Sequence, residues 1–253
     1  MSASLGVVAA LWRYPIKGVQ GESLDKAEIG ENGILGDRTY AIREFPSERF
    51  LGAKDQDYPW GEVHGDSEII QLKAEYPEEP GRDHPRDLTI FAGNGSSLRS
   101  SDGRIDDFLS EVLHKPVHLV PFDQIVGEMR RSGRALHLMT TASLRKIREC
   151  YPGGDLDVRR FRPNLVIATP GERSGFLEED WLGRTLAVGP QVRLRIEKPN
   201  KRCVVTAMRQ GALSSDNQIL ATIAKNNRSN LGVMCSMISG GTVQVRDQVR
   251  MVL

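Results

Sequence analysis

Apolar residues recur at every second position in several short stretches: Val7, Ala9 and Leu11; Ile70, Leu72 and Ala74; Val192, Leu194 and Ile196; Val243 and Val245. Such alternation puts one row of side chains on each face of a strand, so each stretch predicts a half-buried strand. Turn-forming residues stand between them, at Gly30, Gly33 and Gly36, over residues 77–81, at Gly93 and Gly95, and at Gly240 and Gly241. Short strands punctuated in this way point to antiparallel sheets or a barrel and away from a purely parallel α/β layout. Three stretches change to helical spacing. Residues 104–114 carry Ile105, Phe108, Leu109, Val112 and Leu113 on one face, with Asp102 as cap and Pro116 as stop. Residues 142–149 turn Leu144 and Ile147 inward behind Thr140 or Thr141. Residues 216–226 carry Ile219, Leu220 and Ile223. The pattern predicts an α+β, β-rich fold with barrel-like mixed or antiparallel sheets and a few flanking helices. An irregular stretch over residues 121–133 predicts a division into a β-barrel-like part, 1–125, and a second strand-rich part, 126–253.

The chain of 253 residues is long enough to bury a sizeable core, and its 34 Lys and Arg against 33 Asp and Glu leave a net charge of +1. That is no field for nucleic acid, so a small-molecule partner is expected and no nucleic acid. A local pocket can still be positive. Three cysteines, at positions 150, 203 and 235, make neither a disulfide framework nor a CxxC metal pattern and fit a reducing, cytoplasmic setting. No run of ~18 apolar residues appears, so no membrane span is expected.

Phosphate-loop, dinucleotide-fingerprint, nucleophile-elbow and zinc-helix motifs do not occur. Cys203 stands out by its setting, Glu197-Lys198-Pro199-Asn200-Lys201-Arg202-Cys203-Val204-Val205-Thr206, read as a basic loop leading into a strand. Adjacent cations favour the thiolate, the form that ligates metal or attacks electrophiles. A small apolar residue at a strand start reads the same way. Cys235 alternates within an apolar strand and Cys150 ends a helix, and both read as structural. In Arg160-Phe161-Arg162-Pro163-Asn164, Pro163 predicts an extended Arg162 that projects with Asn164 on one side, a setting for anion capture or for surface salt bridges. Trp12-Arg13-Tyr14-Pro15-Ile16-Lys17-Gly18 and Gly36-Asp37-Arg38-Thr39-Tyr40 each place a cation at a strand edge.

In this order the four segments resemble the MOSC family, named for the molybdenum cofactor sulfurase C-terminal domain, with the β-barrel domain that precedes it in many members. The likeness runs to the group containing the mitochondrial amidoxime-reducing component and its bacterial relatives, and covers nearly the whole chain. The motifs are Tyr14 to Gly18, Asp37-Arg38, Phe161 to Asn164, and Arg202 to Thr206. The resemblance implies a molybdenum–pterin cofactor with Cys203 as metal ligand and catalytic residue, and with Lys17, Arg38, Arg162, Asn164, Arg202 and Thr206 around the cofactor. A soft thiolate suits molybdenum already held by sulfur, and Arg offers a planar fork to phosphate. It also implies an oxidoreductase that reduces N-hydroxylated or otherwise N-oxygenated small molecules with electrons from an external electron-transfer protein. No internal pyridoxal phosphate or Fe–S site is expected. Two alternatives stand beside this: a sulfur carrier in metal–sulfur or molybdenum cofactor biosynthesis, and a non-catalytic carrier of the cofactor. Thr140, Thr141 and Ser143 would either meet the cofactor or cap a helix. Two positions depart from the family pattern: Gly18 replaces a serine, and Arg246 stands where a glycine is usual.

Overall fold

The computed structural model describes residues 4–54, 56–58, 61–81, 87–122 and 135–252. The first half supplies β1 (Ser4–Arg13), β2 (Glu22–Leu24), β3 (Lys26–Gly30), β4 (Gly33–Ile34), β5 (Tyr40–Glu44), β6 (Phe50–Gly52), β7 (Gln56–Tyr58), β8 (Gly61–Gly65), β9 (Lys73–Glu75), β10 (Thr89–Phe91), β11 (Ser97–Arg99), α1 (Ile105–Leu113) and β12 (Val117–Pro121). The second half supplies β13 (Leu136–Thr140), α2 (Thr141–Cys150), β14 (Leu165–Ala168), β15 (Thr185–Val188), β16 (Val192–Lys201), α3 (Asn217–Asn227), β17 (Asn230–Ser239), β18 (Gly241–Gln244) and β19 (Gln248–Val252). The α+β, β-rich class follows directly, and all three helical stretches read from the sequence are helices.

The largest sheet runs β14-β13-β17-β16-β15-β19-β1-β2, and a further pairing of β1 with β14 closes seven of these strands into a barrel. Within this sheet β13 and β14 are the parallel pair, with α2 in the crossover between them. The barrel is filled by alternate residues, among them Val8, Leu11, Leu138, Ile167, Leu194, Ile196, Val233 and Cys235. β13 is buried on both faces: Leu136 and Leu138 point into the barrel, while Met139 packs outward with Leu144, Ile147, Ile219 and Ile223 of the helices.

Residues from the first 34 belong to this same core, since Val8, Leu11, Ala27, Ile29 and Ile34 pack with Leu136 and Leu165. A second core joins Ile16, Ile42, Leu51, Ile69, Leu72, Ile90, Leu109 and Val117, under α1 and the sheets β12-β5-β6-β8-β7 and β11-β10-β9. The boundary expected near residue 125 lies outside the described residues.

Two local readings are corrected, and one departure from the family pattern acquires a backbone explanation. In β1, Leu11 is buried as the alternation expects, but Val8 takes the inward place of Val7 and Ala9, because the register shifts between Val8 and Ala10. The stretch read as a strand from Ile70 starts as a 3₁₀ turn, Ile69–Gln71, and only Lys73–Glu75 pairs as strand. Arg246 adopts a left-handed backbone with φ of 77° in the turn between β18 and β19, where its amide donates to the Val8 carbonyl at 2.8 Å. The glycine usual in the family therefore answers a real conformational demand at this position.

Candidate functional site

Tyr14 is the hub at which the halves meet. Burial pushes its phenol well above the usual tyrosine range, and its hydroxyl donates to the Pro163 carbonyl at 3.1 Å. Its amide donates to Asp37 Oδ1 at 2.8 Å, and its carbonyl accepts from the Arg38 amide at 2.8 Å. Asp37, itself buried, accepts from Arg38 at 2.7 Å and from Asn164 Nδ2 at 3.2 Å. Arg162 lies over the Tyr14 ring at 4.3 Å and donates to the Val19 carbonyl at 2.8 Å. Arg202 donates to the Phe161 carbonyl at 2.8 Å and lies within electrostatic reach of Tyr14, Arg162 and Cys203. Guanidinium groups from three distant segments thus gather around Tyr14, and one of them, Arg202, also reaches Cys203.

Two of these cations sit on left-handed backbone, Arg38 with φ of 52° and Arg162 with φ of 50°. The extended Arg162 expected ahead of Pro163 is therefore corrected. A 3₁₀ turn, Val158–Phe161, precedes it, and the Arg162 amide closes that turn onto the Arg159 carbonyl. This costs conformational energy, since αL is unfavourable for a side chain with a Cβ. The stacking on Tyr14 and the bond to Val19 offset it. Burial pulls Arg162 and Arg202 down to about 10, so both stay charged at neutral pH.

Cys203 is half-buried and follows β16 in place of leading into a strand. Pairing with β17 persists as far as Lys201 with Asn230, and the chain then turns into a 3₁₀ segment, Val204–Ala207. Thr206 is fully buried, and both its amide and its hydroxyl donate to the Cys203 carbonyl, at 3.1 and 2.9 Å. The hydroxyl thus fixes the backbone that presents the thiol. Among the described residues, Arg202 Nε is buried with no hydrogen-bond partner. No three His, Cys, Asp or Glu side chains gather as a metal site among the described residues, so a metal at Cys203 would bring its remaining ligands with it.

Asn164 is turned into the protein. Its carbonyl oxygen accepts from the His137 amide at 3.1 Å, and its Nδ2 reaches the Trp12 carbonyl and Asp37 at 3.2 Å. It staples β1 to β13 at the edge of the cluster. The Lys17 ammonium stands 6.0 Å from the Phe50 ring centroid and 5.8 Å from that of Phe122, and burial lowers it to about 8. Sequence reasoning carried Tyr14 and Asp37 within its motifs without giving either a role in the site, and it did not single out His137. His137, pushed down to about 3 by burial and then by the Arg202 charge, is neutral, lies between the carbonyls of Arg162 and Leu231, and with its single N–H donates to one of them.

Thr140 and Ser143 are occupied by helix capping and by a buried carboxyl. Thr140 accepts from the Ser143 amide at 3.1 Å, and both hydroxyls donate to Glu178 at 2.6 Å. Burial raises Glu178 from 4.5 to about 7. The folded state therefore keeps a proton that the unfolded chain has shed between those values, so stability falls as pH rises across that window, by about 3 kcal/mol, and no further above it. Urea unfolding of Glu178→Gln at pH 5 and pH 8 is expected to show that part of the pH dependence removed, and an unchanged difference between the two pH values would contradict it.

The closed β-barrel thus carries a half-buried thiol at Cys203 next to the half-buried Arg202. In comparison with known families, residues 114–250 match the MOSC domain and residues 5–57 the MOSC N-terminal beta barrel domain. The chain belongs to the MOSC domain family, which is associated with the molybdenum cofactor. A comparison with curated proteins gave no match. The fold is similar to that of the YuaD protein from Bacillus subtilis, at 11% identity and a TM-score of 0.50, over 99% of this chain and 98% of that one. YiiM from Geobacillus stearothermophilus aligns with 48% of this chain and 55% of its own at 16% identity and a TM-score of 0.37. Among the described residues no helix is long and apolar enough to cross a membrane.

Proposed function

We propose that the protein binds a molybdenum–pterin cofactor, with the Cys203 thiolate on the metal, and reduces N-hydroxylated or otherwise N-oxygenated small molecules using an external electron donor. The observation that carries this reading is the buried, unpartnered Nε of Arg202 next to Cys203, within reach of Arg162 and of the Tyr14 hub that holds Arg38. A desolvated guanidinium donor is costly unless an acceptor meets it, and a phosphate or pterin oxygen is such an acceptor. The donor set fits the group. A thiolate supplies the soft ligand, and cations that remain charged at neutral pH supply the counter-charge.

When bound, the cofactor would supply the two-electron redox couple. The chain's own residues do the rest. Thr206 fixes the Cys203 carbonyl and so the direction in which the thiol points. Asp37 aims Arg38, and Tyr14 supports the face of Arg162. Asn164 acts one step removed, by holding Asp37 against the barrel edge. In this reading Lys17 meets the ligand from the side of the first half, off the Phe50–Phe122 pair.

Protein purified from a host that makes the cofactor is expected to carry molybdenum, and Cys203→Ser is expected to lose most of it together with reduction of an N-hydroxylated amidine. Equal metal and equal activity in the two proteins would overturn the assignment. Metal bound with no reduction, given a competent donor, would mark a cofactor carrier. An added sulfur on Cys203 after incubation with a cysteine desulfurase would mark a sulfur carrier.

A further inference from the structure

The segment that follows Cys203 is held from both halves of the molecule through its main chain. From the first half, the Gln71 side chain grips it with both ends of one amide: Nε2 donates to the Arg209 carbonyl at 2.8 Å, and Oε1 accepts from the Gly211 amide at 3.1 Å. Gln71 is itself fixed at the end of the Ile69–Gln71 turn. The Gln20 amide donates to the Leu72 carbonyl at 2.9 Å, and Gln20 Nε2 donates to the Ile70 carbonyl at 2.9 Å. The residue before Gln20 is Val19, whose carbonyl takes the Arg162 guanidinium. From the second half, fully buried Arg160 donates to the carbonyls of Met208 at 3.2 Å and Ser214 at 2.6 Å. Within the segment, Gln210 Nε2 donates to the Val205 carbonyl at 2.8 Å.

We infer that Gln71 is a positioning residue for the thiol at Cys203: a clamp from the first half that sets the segment 203–214 and so ties the metal-ligating residue to the same strip of chain, residues 19–20 and 69–72, that anchors Arg162. Gln71 touches neither the thiol nor the arginine cluster. It acts through the backbone of Arg209 and Gly211, and Gly211 answers with a left-handed φ of 56° that places its amide on the clamp. This role rests on the proposed function only for what the thiol is used for, since the clamp itself exists in the chain without any ligand.

The test is hydrogen exchange on the chain without cofactor, comparing wild type with Gln71→Met, which keeps the length of the side chain and removes both bonds, and with Gln71→Ala. Two backbone hydrogen bonds correspond to a factor of roughly 5 to 30 in a local opening equilibrium. Amides within residues 203–214 are expected to exchange faster by that factor, while β16 and β17 keep their protection. Alkylation followed by mass spectrometry adds a second readout: Cys203 modification is expected to speed up with Cys235 silent, because Cys235 is fully buried in the barrel and reacts only when the whole fold opens. Unchanged exchange in residues 203–214 would overturn the inference. So would equal acceleration in the barrel strands or reaction of Cys235 alongside Cys203, since either marks general loosening. A chain that takes up no molybdenum and still shows the localised exchange would sink the proposed function and leave the clamp standing.

Discussion

A fragment that begins at residue 126 is expected not to fold as a monomer, although it holds six of the seven barrel strands. The missing strand is β1, which stands between β19 and β14 with Val7 opposite Gln248 on one side and Leu11 opposite Leu165 on the other. Without it the barrel has two open edges, each a row of unpaired amides and carbonyls. The interior also loses Val8, Leu11, Ala27, Ile29 and Ile34. Each large aliphatic residue removed from a core costs about 2–5 kcal/mol, against a total stability of about 5–15 kcal/mol, so the loss exceeds what a domain can absorb. Circular dichroism and a urea titration check the fragment. The decisive companion is a permutant in which residues 4–34 follow residue 252 through a short linker. Ser4 pairs with Arg250, so the join is an antiparallel hairpin and the strand returns to its place. The fragment is expected to be unfolded and the permutant folded. A fragment that melts cooperatively on its own would show that residues 4–34 are dispensable to that core.

The fold class was legible because its signals are local. Val192, Leu194 and Ile196 alternate and are all fully buried, and the Thr140 and Asp216 caps start helices where the spacing changes. Closure of the barrel was not legible, because it depends on a strand more than 150 residues from β14 in the chain and on a bulge that no alternation reveals. The same divide runs through the site. Arg38, Arg162, Arg202 and Cys203 were readable as cations or a thiol beside turns. The left-handed backbone of Arg162 was not, since the rule for a residue before proline yields to the closing turn and to the stacking on Tyr14. Asp37, though part of the Asp37-Arg38 motif, was given no role of its own, because only the fold places the Tyr14 amide and Asn164 on its carboxylate.

That carboxylate gives the sharpest contest between charge and geometry. Asp37→Ala makes the cluster of Arg38, Arg162 and Arg202 more positive, and an argument from charge alone expects an anionic cofactor to bind more tightly. The contacts argue for the opposite. The carboxylate holds the Arg38 guanidinium at 2.7 Å, and its loss frees a long side chain to rotate out of the site. It also leaves the Tyr14 amide without an acceptor in a buried setting and takes one of the two acceptors of Asn164 Nδ2, the Trp12 carbonyl remaining. Breaking a buried charged contact in this way costs about 3–5 kcal/mol, most of it the penalty of the groups left behind. Urea unfolding of Asp37→Ala is therefore expected to show a loss of about 3 kcal/mol or more, and molybdenum content to fall with it. Asp37→Asn keeps an acceptor for the Tyr14 amide but turns a donor toward Arg38, so its stability is expected to lie between the two while its metal content falls as far as in the alanine variant. Tighter metal retention in either variant would show that net charge outweighs the aim of Arg38, and an unaltered urea midpoint in Asp37→Ala would remove Asp37 from the hub.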